Sequence, residues 1–242
     1  MLGSLLTLQM ESQKTIDKAN HYEMKKDKRR ERRLRKEIIS INQACVEHEL
    51  VRSSDGNISA RLDNERFLIT PSGMYKKRMK PKHLLIVNWE GNKVKGKRDL
   101  QPSSEILLHL EAYLQREDIR AVLHAHPPFS TALTIAGIPF PTDIIPEVLI
   151  ALGEVPTAPY ATPGTQDLAL SIRDLIKTHN AILLSNHGSL TVGKNLEEAL
   201  LALERMELAA QLYYLAHNLG KVIPLPEAEV QTLKAIGEQI RS

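Results

Sequence analysis

The spacing of apolar positions changes repeatedly along the chain between a helical period and short continuous runs. Short apolar runs predict strands at 58–62, 66–70, 84–88, 120–125, 180–186 and 189–193. Helical spacing predicts helices at 29–50, 102–116, 128–137, 144–154, 165–179, 195–220 and 226–240. Helices and strands alternate with no break in composition, which predicts one α/β domain with helices on both sides of a sheet.

Residues 1–28 are polar and poorly patterned, so we expect an N-terminal extension ahead of a domain at 29–242. The start lacks the basic segment and cleavage site of a signal peptide. The stretch "KKDKRRERRLRK" (25–36) holds nine Lys or Arg, which suits either an acidic partner or the solvated face of a helix. Glu31 and Glu37 interleave with these cations at helical spacings, and this favours the solvated helix.

Composition adds few constraints. Hydrophobic residues make up 42% and charged residues 25% of the chain, as in ordinary water-soluble domains, and no apolar run is long enough to span a membrane. Outside residues 25–36 the charges are balanced, so we expect neither a nucleic-acid nor a membrane partner. Cys45 is the single cysteine, which excludes a disulfide framework and favours a cytoplasmic location.

Two histidines one residue apart end the apolar run in "AVLHAHPPFS" (121–130). His124 and His126 would point to the same face of a strand, where they could form a plain surface pair. His187 ends a second apolar run, in "SNHGSL". Three imidazoles with an open coordination position are typical of a catalytic Zn²⁺ site, although Mn²⁺, Co²⁺ and Fe²⁺ accept the same donors.

Other candidate groups come from helix starts and small loops. Glu105 follows two serines in "QPSSE", and a carboxylate there could serve as a general acid or base. Serine hydroxyls and free N–H groups at a helix start suit a phosphate, as do the loops "DGN" (55–57) and "TPSG" (70–73). We take Ser103 or Ser104 as the cap of the 102–116 helix and Thr165 as the cap of the 165–179 helix.

Seven blocks, in order, resemble the class II aldolase/adducin family: "GNIS", "FLITPSG", "PSSE", "AVLHAHP", "APYATPGT", "LLSNHG" and "LEEAL". The resemblance covers roughly residues 34–225. It implies that His124, His126 and His187 bind one Zn²⁺ per subunit and that Glu105 is the catalytic acid/base. It also implies a set of phosphate-binding positions: Gly56, Asn57, Ser72, Gly73, Ser103 and Ser104. For His109, one helical turn after Glu105, it implies no catalytic role.

The implied fold is a single three-layer α/β/α domain with a central mixed, mainly antiparallel sheet. The implied activity is that of a lyase of carbohydrate metabolism, a Zn²⁺-dependent aldolase. It would cleave L-fuculose 1-phosphate or a related deoxy-pentulose 1-phosphate reversibly to dihydroxyacetone phosphate and an aldehyde. Family members usually form homotetramers with active sites at subunit contacts.

The chain departs from the family pattern beyond the histidine pair. The aldolases often carry a tyrosine in this region, contributed by a neighbouring subunit, and residues 140–153 contain none. That role is therefore vacant or is taken by Glu147, a candidate second acid/base that leaves open a methylthioribulose-1-phosphate dehydratase, and a sugar-acid-phosphate decarboxylase stays open as well. Epimerases usually have Asp where Glu105 stands. A scaffold protein with a structural zinc site fits poorly, because such sites favour four ligands and several cysteines.

Overall fold

The computed structural model describes the backbone of residues 2–241 and the side chains of residues 25–241. Its strands are β1 (Asn57–Arg61), β2 (Arg66–Ile69), β3 (Leu85–Asn88), β4 (Lys93–Lys95), β5 (Ala121–Ala125), β6 (Thr157–Ala158), β7 (Ala181–Leu184) and β8 (Gly188–Gly193). Its helices are α1 (Leu2–Glu47), α2 (Ile106–Gln115), α3 (Pro128–Ile135), α4 (Pro146–Leu152), α5 (Gln166–Ser171), α6 (Leu196–Leu219) and α7 (Glu227–Arg241).

All the strands belong to one sheet, in the order β4-β3-β2-β1-β5-β8-β7-β6. Neighbouring strands are antiparallel except β6 and β7, which are parallel. The central strands β5 and β8 come from distant parts of the chain and pair over five registered residues. The predicted mixed, mainly antiparallel sheet is confirmed.

Side chains alternate between two cores, one on each face of the sheet. In β7, Ala181 and Leu183 pack in the core beneath α1, α3, α4 and α6, whereas Ile182 and Leu184 pack in the core beneath α2 and α5. In β5, Val122 belongs to the α2 side. His124, two residues on, therefore faces α2 as well, and this alternation decides which helix can supply its partner.

The N-terminal helix begins much earlier than the pattern predicted, at Leu2 rather than near residue 29. Most of the expected extension is thus helical in backbone, and its side chains before residue 25 lie outside the described residues. Within 25–36 the basic side chains are mostly exposed, but Arg35 donates to the carbonyls of Pro81 and Leu84 at 3.0 and 2.6 Å. This contact ties α1 to the domain.

Two helices begin or end at least four residues inside their predicted bounds. The helix expected at 165–179 ends at Ser171 and resumes as a 3-10 turn at Leu175–Lys177. The Ile176 carbonyl in this turn accepts from Arg116, the residue that follows α2, at 3.1 Å. Thr165 caps α5 as predicted, since its hydroxyl accepts the Leu168 N–H at 3.3 Å. The helix expected from residue 102 begins only at Ile106. Neither Ser103 nor Ser104 is therefore its N-cap, and Glu105 occupies that position.

The C-terminal helix α7 packs on α4. Gly237 allows the close crossing, because a Cβ there would lie 2.6 Å from the carbonyl oxygen of Ile150. Arg241 also donates to the carbonyls of Leu149 and Ile150. Among the described residues, no helix has the length and apolar character that crossing a membrane requires.

Candidate metal centre

The two histidines of the 121–130 stretch meet at the end of β5. The register pairs His124 with Asn57 of β1 on one side and with Leu190 of β8 on the other. His126 follows the strand, and its N–H donates to the Leu50 carbonyl at 3.2 Å. The Nε2 atoms of His124 and His126 lie 2.9 Å apart.

His187 reaches the same point from the tight turn between β7 and β8. Asn186 adopts a left-handed conformation (φ 53°) in this turn, and the His187 N–H donates to the Leu184 carbonyl at 3.1 Å. The ring of His187 lies 4.7 Å from the ring centroid of His124 and 5.0 Å from that of His126. All three imidazoles thus face one another.

Glu105 completes the cluster from the N-cap of α2. One carboxylate oxygen lies 3.1 Å from His124 Nε2, and the other lies 3.2 Å from His187 Nε2. One ligand atom from each of the three histidines and from Glu105 lies within 4.8 Å of the others. Glu105 is the residue just before the first turn of α2. Its carboxylate therefore projects from the start of the helix toward the strand ends.

The cluster suits a divalent cation chemically. His124 Nδ1 donates to the Ser189 carbonyl at 2.9 Å, so this nitrogen carries the proton and Nε2 presents its lone pair to the cluster. The buried Glu105 Oε1 has no hydrogen-bond partner among the described residues. Three imidazole nitrogens with an adjacent carboxylate oxygen form a donor set that Zn²⁺ accepts.

Burial and charge shape the protonation of the cluster. Burial alone would raise the pKa of Glu105, but the His124 and His187 rings next to the carboxylate outweigh burial and hold that pKa well below its usual range. Burial, together with the neighbouring imidazoles His124 and His187, lowers the pKa of His126 to about 3. Near neutral pH the site therefore offers a carboxylate and a neutral His126 imidazole, the forms that bind metals.

The predicted phosphate-binding residues line one cavity of about 390 Å³ beside this cluster. Two of its loops are tied together, because the Ser72 N–H donates to the Gln101 carbonyl at 3.0 Å and the Ser103 N–H donates to the Thr70 carbonyl at 3.2 Å. The lining comprises Ser54, Asp55, Gly56, Asn57, Pro71, Ser72, Gly73, Ser103, Ser104, Glu105, His126, Pro163 and His187. All six predicted phosphate positions are thus adjacent to the candidate acid/base.

Gly56 is required where the cavity meets β5. It has φ +75°, and a Cβ there would lie 2.8 Å from the carbonyl oxygen of His124. Any other residue would be strained and would press on the backbone that carries a candidate ligand.

Lys76 is a buried cation near this site that sequence reasoning missed. Only 3% of it is exposed, and burial lowers its pKa to about 8 even though Asp55 and Glu105 act in the opposite direction. Its backbone is fixed, since its N–H donates to Ser53 and its carbonyl accepts from Asn42. The only sequence signal was its position three residues after "TPSG", in a Lys-Lys pair typical of a surface.

Glu147 lies outside the cluster. It is exposed in the first turn of α4, and neither the metal-binding group nor the phosphate-side cavity includes it. The described residues of a single chain thus bring together every predicted site residue except Glu147.

The sequence matches the family model described as Class II Aldolase and Adducin N-terminal domain over residues 36–214. It is 35% identical to 5-deoxy-D-ribulose 1-phosphate aldolase of Bacillus thuringiensis, over 82% of this chain and 92% of that protein. It is 29% identical to 3-oxo-tetronate 4-phosphate decarboxylase of Haemophilus influenzae, over 83% of this chain and 96% of that protein.

The fold agrees with these matches. A solved structure of L-fuculose 1-phosphate aldolase superposes with a TM-score of 0.76 and 33% identity, covering 86% of this chain and 96% of that one. The match to the family model spans both strand-end histidine segments and the Glu105 loop. The chain therefore belongs to the class II aldolase/adducin family, whose class II aldolases are metal-dependent, and is a lyase.

Proposed function

We propose that the protein is a divalent-metal-dependent aldolase that cleaves a ketose 1-phosphate reversibly to dihydroxyacetone phosphate and an aldehyde. One observation carries the proposal. Glu105 stands between the three imidazoles and a cavity lined by serine hydroxyls, an amide and glycine-rich loops. A phosphate in those loops places the carbon skeleton of the same molecule against the carboxylate.

Substrate binding would begin at the phosphate. The hydroxyls of Ser72, Ser103 and Ser104 and the amide of Asn57 supply neutral donors, and Gly56 and Gly73 leave room for close approach of the backbone. The nearby Lys76 adds positive charge without lining the cavity. The names of two relatives contain the substrates L-fuculose 1-phosphate and 5-deoxy-D-ribulose 1-phosphate. These two molecules share the phosphate-bearing end and differ at the end that leaves as the aldehyde.

The chemistry would then be a retro-aldol cleavage. Loss of the proton from the C4 hydroxyl breaks the C3–C4 bond, the aldehyde departs, and the bonding pair remains on C3 as the enediolate of dihydroxyacetone phosphate. His124, His126 and His187 would hold a divalent ion, Zn²⁺ by preference, which would supply Lewis-acid stabilisation of the developing oxyanion. In the synthetic direction the Glu105 carboxylate removes a proton from C3 of dihydroxyacetone phosphate, and in cleavage Glu105, protonated from solvent, returns a proton to C3.

The proton of the C4 hydroxyl needs a second acid/base, and the candidate for it lies outside the cluster around Glu105. Glu147 remains the candidate at the aldehyde half, and because it is exposed we assign it to the site of a neighbouring subunit in a homotetramer. We place the enzyme in the cytoplasm, in keeping with its single buried cysteine.

A second activity has a specific observation in its favour, the likeness to 3-oxo-tetronate 4-phosphate decarboxylase. Loss of CO₂ from a 3-oxo-tetronate 4-phosphate leaves an electron pair on the carbon next to the ketone. Protonation there also gives dihydroxyacetone phosphate. Both activities therefore need the same enediolate and the same proton donor, and they differ only in the group that departs.

A product assay separates the two activities. Purified protein is supplied with ketose 1-phosphates and with a 3-oxo-tetronate 4-phosphate, and dihydroxyacetone phosphate, aldehyde and CO₂ are each measured. We expect aldehyde with equimolar dihydroxyacetone phosphate, abolished by chelation, restored by Zn²⁺, and reduced at least about 100-fold in Glu105→Gln. CO₂ without aldehyde would establish the decarboxylase instead. Glu154→Gln, a change at an exposed carboxylate outside the site, is the matched control.

A further inference from the structure

Five buried polar side chains form an unbroken line beneath the metal centre. Asn57 and Ser59 project from the same face of β1, and Glu105, His109 and Tyr113 project from one side of α2 at intervals of four residues. The two sets interlock in the order Tyr113, Ser59, His109, Asn57, Glu105. His109 and Ser59 have no exposed surface, and Tyr113 is 3% exposed.

The hydrogen bonds along this line have a fixed direction. The Asn57 Nδ2 lies 2.9 Å from Glu105 Oε2, and because an amide NH₂ group can only donate, Glu105 accepts. The Asn57 Oδ1 then faces His109 Nε2 and must accept from it. His109 is thereby fixed as the tautomer that carries its proton on Nε2.

The same reasoning continues to the far end. His109 Nδ1 has no proton in this tautomer, so the Ser59 hydroxyl, 2.6 Å away, donates to it. The Ser59 oxygen then accepts from the Tyr113 hydroxyl at 2.9 Å. Complete burial lowers the pKa of His109 to about 3, so the imidazole stays neutral and the polarity of the line is kept across the neutral pH range.

We propose that Tyr113, Ser59 and His109 are positioning residues that hold the Asn57 amide with its NH₂ group toward Glu105 and the phosphate-side cavity. Without His109 the amide could rotate and present its oxygen to the carboxylate and to a bound phosphate, where it would repel both. The catalytic consequence rests on the function proposed above for Glu105, whereas the orientation of the line does not.

A purely structural role is the alternative, since any buried histidine needs partners. The two accounts differ in how substitutions combine. A positioning residue acts through Asn57, so the loss caused by His109→Leu disappears once Asn57 is already alanine. Two independent structural losses would instead multiply.

The first experiment is this double-mutant cycle, read as the rate of dihydroxyacetone phosphate formation. We expect His109→Leu to lose about 10- to 100-fold in kcat/KM, and the double variant to be no slower than Asn57→Ala alone. His109→Gln, which keeps an amide donor near the Nε2 position, should recover part of the loss. Multiplicative losses across the cycle would overturn the proposal.

Two further variants control for folding. Tyr113→Phe removes one hydroxyl and leaves the ring against Phe67 and Trp89, so a smaller loss in the same direction is expected from a folded protein. Thr191→Val removes an equally buried hydrogen bond, from the Thr191 hydroxyl to the Ala199 carbonyl at 2.8 Å, outside the line. It should lower the melting temperature and leave kcat/KM unchanged.

The second experiment does not depend on activity. Nitrogen NMR of protein labelled in its histidines reports which ring nitrogen of His109 is protonated, with His109→Gln identifying the signal. We expect the Nε2–H form, with and without metal, and no titration down to about pH 5. An Nδ1–H form would overturn the proposed direction. If the wild-type enzyme converts no substrate, the proposed function fails and this measurement alone decides the orientation of the line.

Discussion

At the scale of single residues, the surroundings of a charged group determine its role more than its identity does. Glu105 is a carboxylate among imidazoles, whereas Glu207, also buried, accepts from the backbone N–H groups of Phe129 and Ser130, each at 2.8 Å, and so caps α3. Lys76 has neither arrangement. Its amine is buried beside Asp55 and Glu105, and burial is the dominant influence on it.

The lysine leads to a prediction about pH. The pKa of Lys76 falls from 10.5 to about 8 on folding, so between these values the unfolded state binds a proton that the folded state does not. Stability of the wild type therefore rises as pH increases from 8 to 10.5. Lys76→Met lacks this dependence and should be more stable by up to about 3 kcal/mol at pH 7, with the difference closing toward pH 10.5.

Urea unfolding of both proteins at several pH values measures this difference. Lys77→Met, a change at the exposed neighbour, should differ from wild type by less than about 0.5 kcal/mol at every pH. A difference between Lys76→Met and wild type that stays constant from pH 7 to 10.5 would contradict the assignment of Lys76 as a buried, destabilised cation.

The helix cap gives a second prediction at this scale. Glu207→Ala leaves two N–H groups and the Ser130 hydroxyl without their acceptor, and should lower the free energy of unfolding by about 2–4 kcal/mol. Glu197→Ala changes an exposed position of α6, the helix that carries Glu207, and should lower the free energy of unfolding by less than about 0.5 kcal/mol. Equal effects in chemical denaturation would show that the cap contributes nothing.

At the scale of elements, the metal centre depends on how closely β5 and β8 approach. Gly188 begins β8, and a Cβ there would lie 2.3 Å from the Ala125 carbonyl and 2.9 Å from the His126 ring. The strand pair must therefore separate, or His126 must move, for any larger residue. The sequence shows Gly188 beside His187, but it does not show that this glycine packs against the end of β5.

Gly188→Ala should accordingly weaken metal binding about 10- to 100-fold, because a displaced ligand costs affinity without removing a donor. Titration of the metal-free protein with Zn²⁺ measures the effect. Gly137→Ala changes a glycine that, unlike Gly188, has a positive φ (+66°), and nothing lies within 4 Å of its added Cβ. It should cost stability alone, and unchanged affinity in both variants would refute the role given to Gly188.

At the scale of the whole molecule, the sheet gathers a site from segments 130 residues apart, from Asn57 to His187. Strand and helix types were predictable because each pattern is local, as in the fully buried runs of β5 and β7. The site residues were predictable because most of them are grouped within a few positions of one another in short motifs, as in 103–105 and 124–126. The start of α1 was not predictable, since residues 2–28 carry no apolar stripe. The interlocking of β1 with α2 depends on long-range pairing that no local pattern encodes.

The central claim is that this assembly forms the enediolate of dihydroxyacetone phosphate with Glu105 as the acid/base. The most direct test needs no knowledge of the aldehyde: dihydroxyacetone phosphate alone is incubated with the enzyme in D₂O, and loss of the C3 proton signal is followed by NMR. We predict exchange that requires the metal, stops on chelation and is nearly absent in Glu105→Gln. Absence of exchange in the metal-loaded wild type, or unchanged exchange in Glu105→Gln, would contradict the account.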